Sequence, residues 1–253
     1  MDISSVTSLA SLYNTSAISS RVAEAYAKPQ ERLSQQAEST RVQLSAFGEI
    51  KSTTAQLETA ANKLRDNQQL STVDGLTKAV QGFAEAVNNR LSTANRLGAA
   101  DSGALAADGK VRAANNETRR TLEGVSGSNR DALQQIGIGV SGNGALKVDA
   151  QKLANAFNAN PDQVRQTLNT VGQQVAEQSA RQLGNNGAVG GSISRLTEQL
   201  GSIEQRQTDV RSQFQQSQQA VQERDVQFSR IQQLAQTGFI FTGAAAYNRI
   251  FSS

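Results

Sequence analysis

The sequence lacks the residues on which most enzyme sites depend. It contains no cysteine, no histidine and no tryptophan, and Met1 is its single methionine. Without cysteine and histidine, the chain cannot form a Cys–His or Ser–His catalytic pair or a Cys/His zinc site. Four aspartates, Asp108, Asp131, Asp149 and Asp162, stand where predicted helices need N-terminal caps. We therefore expect no enzyme, no cofactor and no metal.

Apolar and aromatic residues are scarce. Hydrophobic residues make up 37% of the chain and aromatic residues 4%, which is too little for a large globular core and favours long packed helices. No apolar run approaches the ~20 residues that span a membrane, and the N-terminus lacks the pattern of a cleavable signal peptide. We expect no membrane insertion, and the absence of cysteine is compatible with export by another route.

The charge is nearly balanced. Lysine and arginine number 25 against 22 aspartates and glutamates, which gives a formal net charge of +3. Binding of nucleic acid would require basic residues concentrated on one face. In the C-terminal part of the chain the basic residues instead alternate with acidic ones, which is typical of a solvated helix surface. We expect no nucleic-acid partner.

The N-terminal part of the chain divides into two predicted segments. Residues 1–20 are rich in serine, threonine and alanine and are expected to form a flexible segment. Residues 21–70 predict one long helix, in which apolar residues follow steps of three and four. The members of this N-terminal seam that we assign to an interaction surface are Phe47, Ile50, Leu57 and Leu64.

A longer seam of the same kind predicts a C-terminal coiled-coil helix over residues 191–236. Burial of such a seam must supply most of the stability of a long polar helix. We expect the two seams to pack together, with the N-terminal residues meeting positions such as Ile203, Val210 and Phe214. The apolar members of the C-terminal seam are Ile193, Leu196, Leu200, Ile203, Val210, Phe214, Val221, Phe228 and Ile231.

Residues 71–190 predict a helical middle region that contains one β-hairpin. Helices are predicted over 73–97 and from Asp108 to about Leu122, and residues 136–148 alternate apolar residues with glycine around an SGNG turn. Asp149 and the pair Asn160–Pro161 then predict the starts of two further helices. The sequence therefore predicts a mainly α protein: long terminal helices packed as a coiled coil or bundle, with a small α+β middle.

Residues 237–253 form a tail in which aromatic and aliphatic residues are concentrated. A single chain would leave much of this apolar surface in water, and exposed apolar clusters mark partner surfaces. The alternative is that the tail folds back on the end of its own helix. We interpret the tail as an assembly surface carried by Phe239, Phe241, Tyr247, Ile250 and Phe251.

Particular stretches resemble a known family. Residues 42–64 contain a serine, alanine, aromatic and glycine run followed by lysine and serine, and this stretch resembles the N-terminal region of the flagellar filament cap family, hook-associated protein 2. Residues 133–168 are similar to the C-terminal signature of that family, with an Ile–Gly–Ile element, a Gly–x–Leu–x–x–Asp hairpin exit and an Asn–Pro helix start. Residues 73–125 look like the opening of the same region.

The resemblance implies an extracellular structural component of the bacterial flagellum that forms homo-oligomers. Its implied partners are flagellin and other hook-associated proteins, and an export chaperone would serve the same type III route. Members of the family usually carry large β-rich outer domains after the N-terminal helix. Here only two residues separate Leu70, at the end of that predicted helix, from Val73, at the start of the next, which leaves no room for such domains. A short form of the cap is therefore expected. The alternative is a non-flagellar coiled-coil adaptor or secretion-linked chaperone that remains in the cytoplasm.

Overall fold

The computed structural model describes residues 15–98, 131–142 and 144–236, together with Gly109, Ala113, Asn116 and Arg120. Contacts group the described residues into two units. The helical core unit comprises residues 39–200, and the two-helix unit comprises residues 15–38 and 201–236. Most of the helix predicted after Asp108 and all of the tail 237–253 lie outside the described residues.

The N-terminal helix, α1, spans Thr15–Lys63. It begins six residues before the predicted start, so Thr15 to Ser20 are helical although their composition indicated a flexible segment. It also ends before residue 70. At its C-terminus the hydrogen bonding changes to a 3-10 turn, in which the Leu64 N–H donates to the carbonyl of Ala61, three residues earlier, at 3.2 Å. A single 3-10 turn, Gln69–Ser71, then leads into the next helix.

Helix α2 spans Val73–Leu97 and is amphipathic, as its sequence predicts. The Thr72 side chain caps its start by accepting a hydrogen bond from the Gly75 N–H at 3.1 Å. Glycine is required at position 75 because the preceding 3-10 turn packs closely against the first turn of α2. A Cβ at this position would lie 2.3 Å from the Gln69 carbonyl oxygen. The helix ends at Gly98, whose N–H donates to the Ala94 carbonyl.

The predicted β-hairpin is present. Strands β1, Ile138–Val140, and β2, Leu146–Val148, are antiparallel, with Gly139 opposite Lys147. Gly137 precedes the first strand and has a φ of 87°, a left-handed conformation that glycine adopts without strain. Short strands of this kind are stable only when they pack against other elements, and both strands pack against the core described below.

Two further helices follow the hairpin with the predicted caps. Helix α3 spans Ala150–Ala159, and Asp149 caps it by accepting from the Lys152 N–H at 2.9 Å. Helix α4 spans Pro161–Leu183, and Asn160 accepts from the Gln163 N–H at 3.1 Å. Proline at the first helical position costs no hydrogen bond, because that N–H would have no partner in the helix.

One main core stabilises the helical core unit. It encloses apolar side chains from α1, α2, α3, α4 and the hairpin. Helix α4 approaches α1 closely at Gly172, where a Cβ would lie 2.6 Å from the Ala61 carbonyl oxygen. The largest residues that this main core buries completely or almost completely are Leu64, Leu70, Leu76, Val80, Val87, Leu153 and Leu168.

The last helix, α5, spans Gly190–Gln236, one residue longer at its start than predicted. It follows a glycine- and asparagine-rich loop in which the Val189 N–H donates to the Gln182 carbonyl at 3.1 Å. Its first turns belong to the helical core unit, and the remainder belongs to the two-helix unit. The mainly α architecture with one small hairpin is therefore the one that the sequence predicts.

Candidate functional site

The predicted interaction residues of the N-terminal seam are all buried within the helical core unit. Leu57 and Leu64 belong to the main core, where they are 2% and 0% exposed. Phe47 and Ile50 are completely buried in a second, smaller cluster. We call it the Phe47 cluster, and it consists of Leu44, Ala46, Phe47, Ile50, Leu97, Leu183, Val189, Ile193 and Leu196.

The Phe47 cluster corrects the predicted contacts between the seams. Phe47 and Ile50 were expected to meet Ile203, Val210 and Phe214, but they pack with Ile193 and Leu196, near the start of α5. If one of two helices with heptad seams is shifted by seven residues relative to the other, its apolar residues still face apolar residues of the partner helix. The spacing alone therefore does not determine the register between the two helices.

In the two-helix unit, α1 and α5 meet through aromatic and hydroxyl side chains. The rings of Tyr26 and Phe214 lie 5.6 Å apart at an angle of 62°, an edge-to-face arrangement that aromatic pairs favour. The Tyr26 hydroxyl is 3.2 Å from the hydroxyl of Ser217, which satisfies both polar groups. Sequence analysis identified Phe214 but missed Tyr26, although Tyr26 stands in the same long helix.

Burial along the C-terminal seam decreases toward the end of α5. Leu196 and Ile203 are buried, whereas Leu200, Val210, Phe214, Val221 and Phe228 are half-buried. Ile231 is 59% exposed, and Val226 is 55% exposed on the same stretch of helix. The last described turns of α5 thus present apolar surface to solvent. The predicted assembly residues Phe239, Phe241, Tyr247, Ile250 and Phe251 lie outside the described residues.

Arg90 is a buried charge that the sequence analysis did not single out. It lies on the apolar face of α2 and is 0% exposed. Its Nε donates to the Thr54 Oγ1 at 3.0 Å, and the Thr54 hydroxyl donates to the Ile50 carbonyl at 2.7 Å. The side chain therefore joins α2 to α1 by hydrogen bonds. Its position in phase with Val87 and Ala94 is the sequence signal that could have identified it.

Burial of Arg90 has a defined electrostatic consequence. Desolvation lowers the pKa of its guanidinium from the ordinary value of arginine to about 10, so the side chain is still charged at neutral pH. The unfolded chain binds this proton more tightly than the folded chain does. Burial of the charge therefore costs stability below pH 10, and the cost is relieved as the pH rises through that value.

Asn88 connects α2 to the hairpin. Its side-chain Nδ2 donates to the Leu146 carbonyl at 3.0 Å, and its Oδ1 accepts from the Leu146 N–H at 2.9 Å. The amide satisfies the two backbone groups of Leu146 in the way that a neighbouring strand would. The hairpin is thereby fixed against the helix by polar contacts as well as by its apolar side chains.

Within the described part of the chain, no group of three or more acidic side chains is arranged to hold a metal ion. No described helix is long and apolar enough to cross a membrane. The polar side chains described above join α2 to α1, through Arg90 and Thr54, and α2 to the hairpin, through Asn88. The described arrangement consists of helix interfaces and an exposed end of α5.

Comparison with protein families identifies the architecture. The chain matches the family model of the flagellar hook-associated protein 2 C-terminus over residues 5–237, which include α1, the hairpin and α5. The chain belongs to this family. Hook-associated protein 2 is a structural component of the flagellum, exported from the cell, and a general role as a hook-associated or cap protein follows for this chain. A search of curated proteins gave no match.

Family membership agrees with the resemblance seen in the sequence. The hook-associated protein 2 family forms cap oligomers that interact with flagellin, and its members are structural proteins. Buried side chains such as Leu196 and exposed ones such as Ile231 occupy different turns of the same helix, α5.

Proposed function

We propose that this chain is a short form of the flagellar filament cap, which assembles with copies of itself at the end of the hook or filament and aids flagellin assembly. The observation that carries this proposal is the family match over residues 5–237. A match of that extent includes both long helices and the region between them. It supports a role of the whole helical framework and not of one motif.

The connection between α1 and α2 supports the short form. Residues 64–72 alone join the two helices, and they contain only a turn and the 3-10 turn Gln69–Ser71. Outer domains of the usual kind would have to be inserted at this connection. We infer that another protein, or the helical framework itself, supplies whatever contacts those domains make in longer caps.

The end of α5 and the tail are proposed as the assembly surface. Ile231 and Val226 leave apolar area in water in the single chain, and burial of apolar area contributes about 25 cal/mol per Å². Residues 237–253 add Phe239, Phe241 and Tyr247 directly after these turns. Neighbouring copies, flagellin or other hook-associated proteins would cover this surface in the assembled organelle.

The proposed location is outside the cell, on the flagellum. Export through the flagellar type III apparatus requires an address that the apparatus recognises, and we propose that residues 1–20 contain it. An export chaperone would protect the apolar tail before export. The adaptor alternative would instead leave the protein in the cytoplasm, so cell fractionation of wild-type and export-deficient strains separates the two functions.

A deletion strain tests the cap role. Cells that lack this protein should release flagellin into the medium as unassembled subunits, because nothing retains exported subunits at the growing end. The tagged full chain should restore filaments and be found at their ends by immunogold electron microscopy. Filaments of normal length in the deletion strain, or a tagged protein confined to the cytoplasm, would refute the cap role.

Truncation after Gln236 tests the assembly surface. The truncated chain should keep the thermal melting temperature of the full chain, form smaller species in light scattering and fail to join filaments. If the tail folds back on its own helix, truncation should instead lower the melting temperature. A truncated chain that oligomerises and joins filaments like the full chain would remove the tail from the interface.

A further inference from the structure

The two-helix unit contains a groove between α1 and α5. It has a volume of about 540 Å³ and is open to solvent. All of its lining residues belong to the two-helix unit. Three are basic, three are apolar, and two are an amide and a carboxylate: Lys28, Arg32, Arg206, Pro29, Leu33, Val210, Gln36 and Asp209.

The groove carries an excess of positive charge. Among the residues that the structure describes, Lys28, Arg32 and Arg206 make no ion pair with an acidic side chain, and all three are exposed. The carboxylate in the lining, Asp209, already accepts a hydrogen bond from the Gln205 side chain at 3.1 Å on its own helix. Three cations against one carboxylate give the lining a formal charge of +2.

The groove also has an apolar part. Leu33 and Val210 are half-buried between the helices, and Pro29 exposes its ring beside them. Pro29 lies inside α1, and its nitrogen carries no hydrogen. The Ala25 carbonyl, four residues earlier, therefore lacks the donor that an ordinary helix would supply. The lining of the groove thus combines apolar contact area with cations that make no ion pair among the described residues.

We propose that this groove binds an amphipathic helix of a partner protein, with an apolar stripe flanked by acidic residues. An apolar stripe fits against Leu33 and Val210 in the way that amphipathic helices bind apolar grooves. Carboxylates beside that stripe would pair with Arg32 and Arg206, since guanidinium groups bind carboxylates with two parallel hydrogen bonds. Charge complementarity selects such a partner over basic or neutral helices.

A polynucleotide fits these observations less well. Nucleic acid is bound by rows of basic residues along the backbone path, whereas the basic residues of α5 beyond the groove alternate with acidic ones such as Glu204 and Asp225. The apolar part of the groove would contribute nothing to phosphate binding. We therefore assign the groove to an acidic protein segment and treat nucleic acid as an outcome of the test.

The test uses the full-length protein and a synthetic helical peptide. The peptide carries leucines on one face and glutamates on its flanks, with a fluorescent label for anisotropy titration. A scrambled peptide of the same composition and a peptide with glutamine in place of glutamate serve as probe controls. We expect the amphipathic acidic peptide to bind, the scrambled and glutamine peptides to bind more weakly, and added salt to weaken binding.

Protein variants locate the binding site. The combined change Lys28→Glu, Arg32→Glu and Arg206→Glu should weaken binding by about tenfold or more, as expected for the loss of three exposed ion pairs. Lys152→Glu, Arg195→Glu and Arg211→Glu change the net charge equally at exposed positions outside the groove, and they should change binding little. Val210→Ser should weaken binding without changing any charge.

Three results would overturn the assignment. Equal binding of the scrambled peptide would show that charge alone, without an apolar stripe, explains the attraction. Equal weakening by the control triple variant would show an effect of net charge and not of the groove. Tighter binding of a labelled single-stranded polynucleotide, lost in the groove variant, would replace the protein partner by a nucleic acid. Circular dichroism and melting curves verify that each variant is folded.

Discussion

The two units use the same kind of helix in different ways. In the helical core unit, further helices cover both α1 and α5, and the hairpin adds to the core that contains α1, so Phe47, Ile50 and Leu64 are completely buried. In the two-helix unit, Ala37 and Ile203 are the buried apolar residues among the described side chains. The apolar seam of a long helix is therefore fully buried only where further helices or the hairpin pack against it. The two-helix unit therefore leaves apolar side chains such as Val226 and Ile231 exposed.

The largest difference between the units should appear on truncation of Phe47. Phe47→Ala removes a completely buried ring, and we expect the free energy of unfolding to fall by about 3–5 kcal/mol. Val42→Ala is a control on the same helix, since Val42 is 43% exposed, and should cost less than about 0.5 kcal/mol. Urea denaturation measures both. Similar losses in the two variants would contradict a core at Phe47.

Arg90 should give the next largest effect. Arg90→Ala leaves a cavity and removes the donor to Thr54, so we expect a loss of about 2–4 kcal/mol. Arg90→Met fills most of the volume without a buried charge and should lose less. Urea denaturation at pH 7 and pH 9 should give the same ranking, because the lowered pKa of about 10 keeps the guanidinium charged at both. A greater loss of stability in Arg90→Met than in Arg90→Ala would refute the view that filling the volume of the Arg90 side chain preserves stability.

The aromatic contact of the two-helix unit should contribute less. Phe214 is half-buried and packs edge-to-face on Tyr26, so Phe214→Ala should cost about 1–2 kcal/mol instead of the 3–5 kcal/mol of a core ring. A double-mutant cycle with Tyr26→Ala isolates the ring contact, which should couple the residues by about 0.5–1.5 kcal/mol. Additive losses would show that the rings stabilise the helices independently.

How far the sequence predicted these results depends on the range of each signal. Asp149, Asn160 and Pro161 act on the next one or two residues, and the helix starts that they predicted are found. The register between the seams depends on contacts between distant residues, and many registers satisfy the same apolar pattern. Phe47 and Ile50 therefore pack with Ile193 and Leu196, and the prediction that they meet residues such as Ile203, Val210 and Phe214 was wrong for that reason.

The roles of single polar residues were also beyond the sequence pattern. Arg90 and Asn88 look like ordinary helix residues until α1 and the hairpin are placed beside α2. Thr15 to Ser20 have weak intrinsic helix preference, yet they extend α1, because propensities of a few tenths of a kcal/mol are easily outweighed by neighbouring structure. For residues 15–20, amino-acid composition was therefore a poorer guide to secondary structure than apolar periodicity was for the rest of α1.

The smallest effect on stability should occur at the end of α5. Ile231→Ser changes an exposed residue, so we expect the free energy of unfolding of the single chain to change by less than about 0.5 kcal/mol. Assembly should nevertheless decrease, as measured by light scattering and by incorporation into filaments. Arg230→Ser is the neighbouring exposed control and should leave assembly unchanged. Equal assembly of both variants would exclude Ile231 from the interface.

The amide of Asn88 has a consequence for chains that are crowded together. Leu146 lies in a two-stranded sheet, and the outward N–H and C=O groups of such a strand can template pairing with a strand from another molecule. Asn88 occupies both groups of Leu146. One side chain on a helix thus occupies the sheet edge at this residue and acts there against edge-to-edge aggregation.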